Sequence, residues 1–366
     1  MTGSQGLFFD LLKVAVGARD ELSRVPSSAE WETVMNEAER QSVLGVMLDG
    51  LERLPDSQRP PKLELLQWIG YAQMVEQNTA AMAKASEEVV NYFRENGFAC
   101  TLLKGAAVGR YYANPARRTS GDVDIWVDGG RKKIYDFARA FDKDGILYGV
   151  NYHHIHFHLL EDVHTEVHIW PSFFCNPLNN ARFQRFCEYY RPVKDRWLPS
   201  LAFDRVFILQ HCYRHMCEYG LGLRQIMDYY YVLRTVQDSS SKFQDDTETV
   251  KWIKELGMER FARGMMWVLR EAFGLEENYL LMEPDQKEGR FILHEVMLTG
   301  NMGHDDMRDW GSVRTPVSRF FHNLRRDVYL AKHYPSEALW QPFFSLWLYA
   351  WRWSKGLLKD RDEGDY

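Results

Sequence analysis

Asp122 and Asp124 stand one residue apart in the run Thr119-Ser120-Gly121-Asp122-Val123-Asp124-Ile125-Trp126-Val127, and a third acidic residue, Glu166, lies in a later strand-like run. Side chains alternate faces along a strand, so the two aspartates project together while Val123, Ile125 and Val127 turn toward a core. Two carboxylates about 4 Å apart repel by roughly 4 kcal/mol at an effective dielectric of about 20. Such a pair takes up a proton or gathers around a cation. Hard divalent ions that prefer oxygen ligands, Mg²⁺ first and Mn²⁺ as an alternative, suit it best.

The elements that must hold these acids can be read from periodicity. Phe98 to Leu103 predicts a short strand, Ala106 to Tyr112 a helix stopped by Asn114-Pro115, and Asp122 to Val127 a second strand. Asp128-Gly129-Gly130 breaks that strand, after which Ile134, Phe137, Ala138 and Phe141 recur at helical spacing until Gly145. His153 to Leu160 and His164 to Trp170 predict a hairpin. If its apolar faces match, an odd-length connection places His154, His156 and His158 on the same face as His164, Glu166 and His168.

Outside this stretch the pattern is helical. Residues from about 5 to 96 include a capping-box spacing at Ser27 and Glu30 and a long run from Lys62 to Asn96, and helical periodicity returns after Pro177. The expected fold class is therefore α+β, a small mixed β-sheet core at 97–175 between an N-terminal helical region, 1–96, and a larger C-terminal one, 176–366. Within the last region, Leu339 to Trp353 is the most apolar segment, shorter than the ~20 residues that cross a bilayer. A buried helix is expected there; a helix lying on a membrane surface is the alternative, supported by Arg352, Lys355, Lys359 and Arg361.

The formal net charge of −6 argues against nucleic-acid binding through a global positive field. Five cysteines, an odd number without framework spacing, suit reduced thiols in a cytoplasmic protein. The N-terminus has no basic stretch followed by an apolar core, so no signal peptide is expected, and no integral membrane association.

Taken in order, Leu103-Lys104-Gly105, Arg117-Arg118, Gly121-Asp122-Val123-Asp124 and Glu166-Val167-His168 resemble the poorly characterised bacterial nucleotidyltransferases of the polymerase-β-like superfamily. The likeness is strongest over about residues 98–170, and Gly222-Leu223-Arg224-Gln225-Ile226-Met227-Asp228 resembles a helix in the C-terminal part of that group. The resemblance implies transfer of a nucleoside monophosphate, AMP from ATP being the expected donor chemistry, to an unidentified acceptor with release of pyrophosphate. It implies that Asp122, Asp124 and Glu166 hold Mg²⁺ (or Mn²⁺), with Glu166 also a candidate general base. Lys104, Gly105, Arg117, Arg118 and Gly121 are expected around the triphosphate, with His168, Arg224 and Asp228 touching the nucleotide or ordering the cleft wall. The wider superfamily carries Gly-Ser where this chain has Lys104-Gly105, so Lys104 is expected to supply charge in place of a hydroxyl contact.

Other readings compete. The five histidines His154, His156, His158, His164 and His168 could form a transition-metal site, and His211 and His215 share a helix face. Arg224 and Asp228, four apart, could simply be an intrahelical ion pair. A catalytically weak nucleotide sensor on the same fold would bind without turnover. A toxin-type transferase acting on RNA or protein would need a basic stripe from Arg110, Arg117, Arg118, Arg131, Lys132 and Lys133. The acceptor is otherwise expected to be a small molecule or a peptide or polysaccharide precursor.

Overall fold

A computed structural model describes residues 3–141, 145–235, 242–311 and 315–357. Its class is mixed α+β: four short strands make one sheet and helices flank it. The strands are β1 (Cys100–Leu103), β2 (Val123–Val127), β3 (His154–His156) and β4 (Thr165–His168), ordered β1-β2-β4-β3. β1 and β2 pair antiparallel, β2 and β4 parallel, and β4 and β3 antiparallel. The parallel pair requires a crossover, and the chain makes it through an amphipathic helix, Gly130–Phe141.

Four helices precede the sheet: α1 (Ser4–Ala15), α2 (Ser28–Arg40), α3 (Leu44–Arg53) and α4 (Lys62–Glu95). The Ser27 amide donates to Glu30 at 2.9 Å, closing the capping box that starts α2. α5 (Gly105–Gly109) follows β1, and α6 is the crossover helix Gly130–Phe141. After the sheet come α7 (Pro177–Tyr189), α8 (Leu201–Glu218), α9 (Leu223–Arg234), α10 (Lys242–Glu255), α11 (Glu259–Val268) and α12 (Gln286–Thr299). The last three are α13 (Pro316–Leu330), α14 (Pro335–Ala338) and α15 (Gln341–Ser354).

All five residues of β2 are buried, so its two faces meet different partners. Val123, Ile125 and Val127 join Leu102, Ile155 and Val167 against Val89, Val90 and Phe93 of α4 and Ile134 of α6. On the opposite face Trp126 stacks on Phe203 of α8, within a core that runs from Leu7 to Tyr334 and unites the N- and C-terminal helices. Asp124 shares the Trp126 face, so it looks toward the C-terminal helices. Burying each of these large side chains stabilises the fold by about 1.5–3 kcal/mol.

All five cysteines are buried and free. No described helix is long and apolar enough to cross a membrane. The segment Leu339 to Trp353 is helical, yet α15 has no buried residue, which corrects the expectation of a core helix. Phe344, Trp347 and Trp351 meet the body, and none of them is fully covered; apolar composition reports a need for cover without supplying the surface. Lys359 and Arg361 lie outside the described residues.

Candidate active site

Strand pairing assembles the acids. Asp124 of β2 lies beside Glu166 of β4, and Leu103 at the end of β1 lies opposite Asp124, which brings Lys104 to the same place. Across the other edge, His156 pairs with Glu166 and His154 with His168, so the hairpin has the shared-face parity read from the sequence. Asp122 stands just before β2. Ligand atoms of Asp124, Glu166 and His168 lie within 4.8 Å of one another, and so do those of Asp122, His164 and Glu166.

The contacts inside the cluster are close. Lys104 Nζ donates to Asp124 Oδ1 at 2.8 Å. His168 Nε2 lies 2.8 Å from the same oxygen and 3.2 Å from Glu166 Oε2, and His154 Nδ1 lies 3.2 Å from Glu166 Oε2. Carboxylates only accept, so the His168 proton sits on Nε2; its Nδ1 is buried without a partner. Lys104 holds φ 46° and Gly105 φ 35°, a left-handed turn that a lysine adopts only under strain. A Cβ on Gly105 would sit 3.4 Å from the Asp122 carbonyl, so that turn packs directly on the aspartate loop.

Charge sets the protonation. The Asp124 charge, then burial, push the Asp122 carboxyl up to about 6. Glu166 moves the other way: burial alone would raise it, but His154, His168 and Lys104 together hold it well below the usual carboxylate range. Burial favours neutral Lys104, and the charges of Asp124, Glu166 and Asp122 overcome it and raise its pKa. Burial likewise opposes protonation of His168, and its hydrogen bonds to Asp124 and Glu166 reverse the sign. His154, by contrast, is lowered to about 3 by burial, against the opposing pull of Glu166. The carboxylate oxygens fit Mg²⁺ or Mn²⁺, with His164 the imidazole beside Asp122 and Glu166; His168, its Nε2 proton given to the carboxylates, is not a ligand as it stands.

The loop leading into β2 is pinned from three sides. Asn78 Nδ2 donates to the Ser120 carbonyl and Thr79 Oγ1 to the Arg118 carbonyl, both at 2.7 Å. Gly45 of α3 lies so close that a Cβ would be 2.4 Å from the Arg117 carbonyl. Arg118 forms a buried two-pronged pair with Asp228 of α9, Nε to Oδ1 and Nη2 to Oδ2, each 2.8 Å, and the Tyr112 hydroxyl donates to the same carboxylate at 2.6 Å. Asn78 and Thr79 escaped the sequence reading. Their signal is an Asn-Thr pair, poor helix formers, inside a long helix.

Arg117 and Arg118, expected at the triphosphate, are each engaged with acidic side chains in this structure. Arg117 is held by Asp49 at 2.6 Å, Glu52 at 2.8 Å and Glu76 at 3.0 Å, and the Arg118 fork is filled by Asp228. Asp228 accordingly pairs with Arg118, and the intrahelical Arg224–Asp228 pair is replaced. Arg224 instead reaches the Thr119 carbonyl at 3.3 Å, with its Nε buried and unpartnered and its charge felt by Asp122. Gly121 is exposed, and a Cβ there would meet open space.

The remaining basic residues of the supposed stripe are also engaged. Arg110 pairs with Asp204 at 3.0 Å, Lys132 with Asp136 at 2.6 Å, Arg131 donates to the Tyr152 carbonyl at 2.6 Å, and Lys133 covers the Phe98 ring. Of the histidines, His153, His154 and His168 cluster, as do His154, His156 and Glu166, whereas His158 packs on Tyr148. His211 and His215 of α8 lie ring to ring at 4.3 Å, and burial keeps both well below their ordinary pKa.

A family model described as uncharacterised nucleotidyltransferase matches residues 27–274, a span that contains α4, the whole sheet and both partners of the Arg118–Asp228 pair. No curated protein and no solved structure matches the chain. With that span covering most of its length, the chain belongs to the uncharacterised nucleotidyltransferase family.

Proposed function

We propose that the protein is a metal-dependent nucleotidyltransferase that moves a nucleoside monophosphate, AMP from ATP, onto a hydroxyl or phosphate oxygen of an acceptor. The observation that supports this reading is a pair of ligand groups, Asp124-Glu166-His168 and Asp122-His164-Glu166, that share Glu166, with Lys104 paired to Asp124 beside them. The acceptor oxygen bonds to the α-phosphorus, the bond to the bridging oxygen of the β-phosphate breaks, and pyrophosphate leaves with that oxygen. Mg²⁺ or Mn²⁺ held by the three carboxylates would supply charge stabilisation for the attacking and leaving oxygens.

The chain's own groups do the rest. Glu166, held ionised, keeps its carboxylate available to the metal on the acceptor side. Lys104 offers a strained, poised ammonium to the triphosphate; α5 is only five residues long, so side-chain charge outweighs any helix dipole there. Arg224, with an unpartnered Nε beside the Asp122 loop, takes over the phosphate role first expected of Arg117 and Arg118. Gly121 is not demanded by the fold, which leaves its missing side chain as room for the triphosphate. His168 fixes the Asp124 and Glu166 carboxylates relative to each other.

The test is pyrophosphate release from ATP, GTP, CTP and UTP with Mg²⁺ or Mn²⁺ and a cell extract as acceptor source, wild type beside Asp122→Asn/Asp124→Asn. Release that requires metal, extract and both aspartates is expected, with a loss of at least ~10³-fold in the variant. Nucleotide binding without turnover in both proteins would instead identify a sensor.

A further inference from the structure

One side of α15 is apolar along its length. Trp340, Phe343, Leu346, Tyr349 and Trp353 are 42%, 65%, 56%, 53% and 72% exposed. At about 3.6 residues per turn they sweep roughly half of the helix circumference. The other side holds the helix down. Phe344 packs on Phe173 and Tyr152, with ring centroids 4.8 and 5.7 Å away, and Trp351 lies under the Arg131 guanidinium at 4.9 Å. α13 packs beside α15 and exposes Phe321 and Val328 as well. A continuous apolar surface with a polar border is an interaction site.

Charge discriminates among occupants. Across 315–357, Arg319, Arg325, Lys332 and Lys355 are exposed, whereas the two acidic residues of the segment, Asp327 and Glu337, are buried. These exposed basic side chains belong to a chain whose net charge is −6, and the sequence that follows, 358–366, carries two basic and four acidic residues, so the positive charge is confined to α13–α15 themselves. A second copy laid on the same face would add like basic charge to like. An anionic bilayer complements both parts of the surface. Tryptophan and tyrosine favour the headgroup layer, the remaining apolar side chains reach the acyl boundary, and lysine and arginine meet lipid phosphates.

We propose that α15, flanked by α13, seats this protein on the surface of a membrane containing anionic phospholipid. It lies on the bilayer and does not span it, in keeping with its 14 residues. α15 is linked to the candidate site through buried rings: Phe173 touches Phe344 of α15 on one side and His153 on the other, and His153 lies against His168.

The experiment is sedimentation of the full chain with vesicles of phosphatidylcholine alone and of phosphatidylcholine mixed with phosphatidylglycerol. Wild type is expected to pellet with the mixed vesicles, and to partition at least ~10-fold less onto phosphatidylcholine alone or at about 0.5 M salt. Phe343→Glu/Trp353→Glu changes only exposed positions, so its Tm should be unchanged while partition falls at least ~10-fold. Arg319→Glu/Lys355→Glu should reduce the preference for the anionic vesicles by a similar factor. The proposal is overturned if wild type stays in the supernatant with both lipids. It is equally overturned if light scattering shows a dimer that Phe343→Glu/Trp353→Glu dissociates while neither protein binds vesicles.

Discussion

Two buried polar clusters joined by one short loop have opposite characters. Arg118 and Asp228 close on each other, two donors on two oxygens, with the Tyr112 hydroxyl as a third donor. Their charges cancel. Around Asp124, three carboxylates face Lys104 and a histidine that shares one proton between Asp124 and Glu166. That cluster keeps an excess of acceptors, pushes one of its own acids up to about 6, and leaves a buried imidazole nitrogen unpartnered. Closure marks the first as a fastening between α9 and the aspartate loop, whereas the surplus charge of the second is what cation and phosphate chemistry requires.

The contrast breaks most sharply at Asp228. Asp228→Ala leaves Arg118 buried and unpaired and should destabilise the protein by ~3–5 kcal/mol in urea titration, while Arg118→Met/Asp228→Leu should recover most of that loss. Unchanged stability together with lost nucleotide affinity would move the pair from fastening to site.

Asp122→Asn should do the reverse, stabilising the metal-free protein while removing activity. The folded pKa, about 6, lies above the ordinary aspartate value of 3.8, so ionisation favours the unfolded chain. Wild type loses that stability as pH rises from about 4 through 6. The variant should therefore gain ~1–3 kcal/mol at pH 7–8 in EDTA and nothing below pH 4. A gain of equal size at pH 4 and pH 8 would mean that charge repulsion is not its source.

The smallest effect is expected at Arg117. Glu52 is the most exposed of its three acidic partners, and Glu52→Ala leaves Asp49 and Glu76 in place, so a change under ~1 kcal/mol in thermal unfolding is expected. A larger loss would show that Arg117 needs all three.

What could be read from the chain alone was whatever depends on short-range period. Asp122 and Asp124 share a strand face by alternation, and the histidine and glutamate faces of the hairpin follow from antiparallel pairing, so the cluster at Glu166 was legible down to individual residues. The Arg118 fork was not, because its partner Asp228 is 110 residues away and no local pattern distinguishes a guanidinium awaiting phosphate from one already paired. The same limit applies to Asn78 and Thr79, whose carbonyl partners belong to another element. α15 was misread for a related reason: its apolarity is visible in composition, but whether another surface is left to cover it depends on how every other helix has packed.

The pairing of β2 with β4 places Asp124, Glu166 and His168 through a single backbone ladder. The site thus depends on one integer, the strand offset. An extra residue in the turn between 157 and 163 can bulge outward, whereas one inserted between Thr165 and His168 would reverse the side chains beyond it, carrying a carboxylate or an imidazole out of the cleft and Val167 into it. Length changes are therefore tolerated in the turn and not in the ladder, and the helices can change only where Gly45, Asn78, Thr79 and Asp228 still pin the aspartate loop.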